Sequence, residues 1–155
     1  MLSCLIFSAN ILRWSYKNLI IREEKLIATI ELTDLQLSVC IGEHNAAKIL
    51  PENHVLNLVL TVNSDLVCTD TDTMSDVFDY DPILDFIYNL IKGKRYETQE
   101  CLIFLIVRHC AQSEEVIQID VSIRKESKGE ARGRLGVRLV LNEHDVNKYR
   151  YLPSK

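Results

Sequence analysis

Four stretches of this chain alternate apolar and polar residues with a period of two, and they come as two pairs separated by two runs of helical period. A period of two sends successive side chains to opposite faces of a sheet, whereas a period near 3.6 lays an apolar stripe along one side of a helix. From Thr29 to Ile41 the apolar positions are Ile30, Leu32, Leu35, Leu37, Val39 and Ile41, with one slip at Thr33 and Asp34. This reads as a half-buried strand carrying a bulge at the slip. Val55 to Val62 places Leu56, Leu58, Leu60 and Val62 on one face, after a loop containing Gly42 and Pro51. Val116 to Ile123 alternates through Ile117, Ile119 and Val121, and Leu135 to Leu141 through Val137 and Leu139, with a polar, Gly-bearing loop between them.

Between the pairs, Asp70 to Asp79 is rich in Asp and Thr, whose side chains bond their own backbone and favour turns. Asp81 and Pro82 then stand at an N-cap and a first-turn position ahead of Ile83, Phe86, Ile87, Leu90 and Ile91, with Gly93 as terminator. A second helix is predicted from about Thr98 to Ala111, capped by Thr98, with Leu102, Leu105, Ile106 and His109 as its inward stripe. The order strand, strand, helix, helix, strand, strand predicts an α+β fold: a four-stranded antiparallel sheet with two helices on one face. Such a sheet leaves edges unpaired, so strand-to-strand assembly between copies is expected.

Composition narrows the function classes. At 155 residues, 47% hydrophobic and 26% charged, the chain fits one globular domain. A net charge of −4 gives no overall basic field for nucleic acid. The local basic cluster of Arg124, Lys125, Lys128, Arg132, Arg134 and Arg138 is either a solvated loop with strand ends or a site for an anionic ligand. Five cysteines, scattered without a C-x-x-C, point to reduced thiols, and the four histidines lack metal-ligand spacing, so no metal is assigned. Met1 to Phe7 is apolar but has no charged segment before it, and Arg13, Lys17 and Arg22 soon follow. Neither a signal peptide nor a membrane span is expected, and a cytoplasmic location is.

Four motifs occur in order along these elements. They are Ile30-Glu31-Leu32-Thr33-Asp34-Leu35 with Ile41-Gly42, then Thr71-Asp72-Thr73-Met74-Ser75-Asp76-Val77-Phe78-Asp79-Tyr80, then Lys94-Arg95-Tyr96-Glu97-Thr98-Gln99-Glu100, and Val121-Ser122-Ile123-Arg124-Lys125. Together they resemble the dihydroneopterin aldolases and their relatives, the dihydroneopterin triphosphate epimerases. The resemblance runs from about Leu26 to Leu141, which makes residues 26–142 an aldolase-like domain, 1–25 an N-terminal extension and 143–155 a C-terminal tail.

The resemblance implies a tunnelling fold, in which strands of several subunits close into a barrel and two tetrameric rings stack as an octamer. It also implies roles. Glu100 accepts the ring N–H and exocyclic amine of a pterin, which form a pair of parallel donors suited to a carboxylate. Val77, Phe78 and Gln99 join Glu100 in binding. Lys125 polarises or protonates a ring nitrogen through water, and Tyr80 exchanges a proton with the side chain or the product. Val77, Phe78 and Tyr80 would come from one chain, Glu100 and Lys125 from its neighbour. The implied reaction is retro-aldol cleavage of 7,8-dihydroneopterin, in which the ring is its own electron sink, so no cofactor, metal or Schiff base is called for. Taken alone, Glu100 is a first-turn glutamate favouring its helix, Lys125 an exposed strand end, and Tyr80 a packing tyrosine. One position departs from the pattern: the glutamate commonly found five residues after the turn glycine is Ala47 here, with Glu43 and Glu52 the carboxylates near it in sequence.

Overall fold

The computed structural model describes residues 26–42, 51–126 and 134–152. In chain order the elements are β1 (Ile27–Ile41), β2 (Glu52–Asn63), α1 (Asp81–Ile91), β3 (Arg95–Tyr96), α2 (Gln99–Cys110), β4 (Gln118–Lys125), β5 (Gly136–Leu141) and α3 (Glu143–Arg150). The fold is α+β, as the patterning predicts. The sheet is not the expected four antiparallel strands: among the described residues it has five, in the order β3-β1-β2-β4-β5, and β3 runs parallel to β1. Two residues carry no period, so β3 leaves no trace in hydropathy. Its place comes from pairing Cys40 with Arg95 and Ile41 with Tyr96, and from the Gly42 N–H donating to the Tyr96 carbonyl at 3.0 Å.

The slip at Thr33 and Asp34 is a bulge. Leu32 pairs with Leu58, but the next pairing is Leu35 with Leu56, and Asp34 takes φ 53° while its N–H donates to Asn57 Oδ1 at 2.8 Å. The extra residue turns the inward face of β1 from Ile30 and Leu32 to Leu37, Val39 and Ile41, which are buried. The Asp- and Thr-rich segment before α1 is bonded within itself, the Thr71 hydroxyl donating to the Asp76 carboxylate. That bond holds the Asp76 carboxyl below the usual carboxylate range.

One core joins the sheet to the helices. Leu56, Leu58, Leu60 and Val62 of β2 and Ile119, Val121 and Ile123 of β4 pack with Ile83, Ile87 and Leu90 of α1. Helix α2 contributes Leu102, Ile103, Ile106, Val107 and Cys110, a stripe turned from the expected one. Because α2 is apolar nearly all round, its period does not select a face; Leu105 and His109 end half-buried, and the His109 ring stacks on Phe86 of α1 with centroids 3.9 Å apart. Burial lowers the pKa of His109, with an opposing contribution from its bond to the Pro82 backbone.

The cap of α1 differs from the prediction. Tyr80 takes the N-cap position without a side-chain bond, and Asp79 Oδ1 accepts from the Asp81 N–H at 3.1 Å. Past Lys92, Gly93 adopts φ +67°, the left-handed conformation that ends a helix most easily at glycine. Beyond β5, Asn142 caps α3 by accepting from the Asp145 N–H, and Val146 enters the common core. Arg150 closes this helix onto the α2–β4 turn, donating to the carbonyls of Ala111 (2.8 Å), Ser113 (2.8 Å) and Val116 (3.0 Å). None of the helices among the described residues is long and apolar enough to cross a membrane.

Candidate functional site

The start of β2 and the end of β4 are antiparallel neighbours, with His54 directly opposite Lys125. Glu52, two residues from His54, shares its face of the strand, and its Oε2 lies 2.5 Å from Lys125 Nζ. Both partners are partly open to solvent, Lys125 47% and Glu52 30%. His54 is 1% exposed, and its Nδ1 lies 3.1 Å from the Glu52 backbone oxygen. A carbonyl only accepts, so this bond puts the hydrogen of the neutral ring on Nδ1 and leaves Nε2 as an acceptor.

A second wall comes from the N-terminus of α2. Thr98 caps the helix, its hydroxyl accepting from the Cys101 N–H at 3.2 Å, and Glu100 falls in the first turn, where a carboxylate interacts favourably with the helix dipole. The short β3 pins this terminus beside Ile41 and Gly42, and the Tyr96 hydroxyl donates to the Leu90 carbonyl at 2.7 Å, tying the connection to α1.

The third wall is the start of β5. A Cβ on Gly136 would collide with the Ile123 carbonyl and lie 2.6 Å from Arg124 Cγ, so only glycine lets β5 approach β4 this closely. Glu100, Gln99, Thr98, His54, Lys125 and Gly136 thus line one cavity of about 510 Å³. Within it, Gln99 Oε1 is buried with no partner among the described residues.

The other expected residues lie elsewhere. Tyr80, 53% exposed, borders a mainly apolar cavity of about 300 Å³ with Leu32, Leu58, Leu60 and Ile83. Val77 is half-buried on the approach to α1, and Phe78 is buried in the core with its N–H donating to the Leu66 carbonyl. One chain therefore brings together Glu100, Gln99 and Lys125 and holds Val77, Phe78 and Tyr80 apart from them. Ala47 and Glu43 lie outside the described residues, as do Lys128 and Arg132.

The sequence model described as dihydroneopterin aldolase (FolB) matches residues 30–140, from β1 through nearly all of β5. The chain belongs to the dihydroneopterin aldolase family. Among solved structures, the dihydroneopterin aldolase of Burkholderia thailendensis bound to guanine superposes with a TM-score of 0.63 at 20% identity, over 75% of this chain and 91% of that one. The E. coli dihydroneopterin aldolase in complex with neopterin gives 0.63 at 13% identity, over 73% and 97%. At these identities the likeness is one of fold. No curated protein matches the sequence.

Within the span of the dihydroneopterin aldolase match, motif reading passed over His54, which lines the cavity, and named Glu52, the partner of Lys125, only as a carboxylate near Ala47 in sequence. For His54 the signal is there: it continues the inward register of Leu56, Leu58, Leu60 and Val62, and a histidine closing an otherwise aliphatic stripe marks a place where the core meets something polar. The Glu52 contact needs the β2–β4 register, which hydropathy does not supply.

Proposed function

We propose that this member of the dihydroneopterin aldolase family cleaves 7,8-dihydroneopterin by retro-aldol reaction to 6-hydroxymethyl-7,8-dihydropterin and glycolaldehyde, a step toward folate. The observation that carries this reading is that Glu100 and Lys125, residues of two separate motifs, line a single cavity within the size range of small-molecule sites. Guanine and neopterin, the ligands of the two structural neighbours, share a ring N–H beside an exocyclic amine, and Glu100, which lines this cavity with Glu97, offers a carboxylate suited to that edge.

The chemistry follows from the residues. Glu100 binds and orients the ring. Lys125, its Nζ held 2.5 Å from Glu52 Oε2, acts as the proton donor toward the ring nitrogen that receives electrons as the carbon–carbon bond breaks. Tyr80 borders a different cavity of its own chain, which fits a site completed by the Tyr80 of an adjacent copy in a ring. The exposed strand-edge residues Ile27 and Val140 are consistent with such assembly.

A second reading, epimerisation of the triphosphate, draws on Arg134. With Arg124 and Arg138 this residue lines a cavity of about 360 Å³ that meets the first at Gly136 and Val137. Incubating the protein with 7,8-dihydroneopterin and, separately, with its triphosphate tests both. Glycolaldehyde release from the free diol supports the aldolase; an epimerised triphosphate without cleavage supports the second reading. Neopterin binding with neither product leaves a pterin-binding homologue.

A further inference from the structure

His54 is a polar group of the cavity to which the scheme above gives no work. It is 1% exposed, yet it lines the cavity, and with Nδ1 bonded to the Glu52 carbonyl its Nε2 is the nitrogen left to accept. Packing alone does not call for an imidazole at that point, since the positions that follow on its strand face, Leu56, Leu58, Leu60 and Val62, are aliphatic. An imidazole acceptor on the wall of a ligand-sized cavity suits a hydroxyl donor of the ligand.

We infer that His54 is the proton acceptor of the reaction, taking the proton from the substrate side-chain hydroxyl whose carbon becomes the aldehyde. The inference rests on the pterin reading and goes beyond it as follows. Lys125 is set by that reading against ring nitrogen N5, whose peripheral neighbours are the oxygen on C4 and the side chain on C6. The C4 oxygen is an acceptor and has nothing to give Nε2, whereas the side-chain hydroxyls are donors. His54 is the cross-strand partner of Lys125, their Cβ atoms about 5 Å apart by strand geometry, and so it faces the hydroxyl end. Glu52 meanwhile holds the Lys125 ammonium.

The step balances without a co-reactant. The hydroxyl proton on C2′ passes to Nε2, a C2′–O double bond forms, and the C1′–C2′ bond breaks. Its electron pair moves through C6 to N5, which takes a proton from the Lys125 side. Glycolaldehyde leaves. The imidazolium then returns its proton to C1′ as N5 gives its own back, and the ring imine is restored.

The test compares wild type with His54→Gln, whose side-chain oxygen accepts a hydrogen bond but not a proton. Neopterin affinity is read by calorimetry and glycolaldehyde release from 7,8-dihydroneopterin by product assay. The expected result is a fall in kcat of at least about a hundredfold, with the neopterin Kd kept within about threefold. A variant kcat within about threefold of wild type overturns the inference. So does a wild type that binds neopterin and releases no glycolaldehyde. A wild type that does not bind neopterin sinks the pterin reading itself, and this inference with it. If the variant fails to fold, wild type labelled with ¹⁵N-histidine decides: neopterin must shift the Nε2 resonance of His54, assigned through its contacts across β2 and β4, and a resonance that stays in place overturns the assignment.

Discussion

Replacing Glu100 with Gln separates binding from folding in a way few substitutions at this site do. Glu100 is exposed in the first turn of α2. Removing its charge therefore costs the fold little beyond its interaction with the helix dipole, about 0.3–1 kcal/mol at an exposed position. The ligand loses much more. The amide keeps one acceptor and turns an NH₂ against a donor of the pterin edge. A hydrogen bond to a charged group contributes about 1.5–3 kcal/mol, and a donor left unpaired in the cavity costs about 1–3 kcal/mol more. The two together give about 2.5–6 kcal/mol, or roughly a seventyfold to twenty-five-thousandfold loss of affinity. Calorimetry with neopterin and urea unfolding of both proteins measure the two quantities separately. An affinity loss below about tenfold would refute the role assigned to the carboxylate. A stability loss equal to the binding loss would refute the claim that Glu100 serves the ligand rather than the helix.

Three further outcomes are expected. Lys125→Met should slow turnover of 7,8-dihydroneopterin by about a hundredfold or more, while unfolding free energy changes by less than about 1 kcal/mol because the ion pair with Glu52 is partly solvated. Arg150→Met should destabilise the protein by about 2–4 kcal/mol in urea, since three backbone carbonyls of the α2–β4 turn lose a charged donor; a loss under about 0.5 kcal/mol would contradict the closure of α3 on that turn. For His109, burial lowers the folded pKa below its ordinary 6.5, so the unfolded chain takes up the proton first. Stability present above pH 6.5 should therefore be lost as pH falls from there through the folded value, and His109→Phe, which can keep the stack on Phe86, should flatten melting temperature across that window.

Local chemistry was the legible part of this fold. The bulge in β1 announces itself because the alternation slips where Asp34 leaves the ladder, and the ends of α1 and α2 follow from Gly93 and Thr98. Features without a period were not legible. Arg95 and Tyr96 are too few to show one, α3 buries only Val146 among its eight residues, and the apolar residues all round α2 hide its inward face. At the site, Glu100 and Lys125 were found through motifs, each reading alone as an ordinary surface charge. What unites them is the pairing of distant strands, with β3 planting the α2 terminus beside β1 and the His54–Lys125 register joining β2 to β4. The same pairing supplies Glu52 and His54, and the fold sends Tyr80 to another cavity of the same chain.

A crystal structure of the protein soaked with neopterin tests the central claim most directly. The account predicts the ligand in the cavity between α2 and the β2–β4 pair, its ring N–H and amine each donating to an oxygen of Glu100, with Lys125 and His54 at the side-chain end. Neopterin bound in another cavity, or in this one with its donor edge turned away from Glu100, would contradict it.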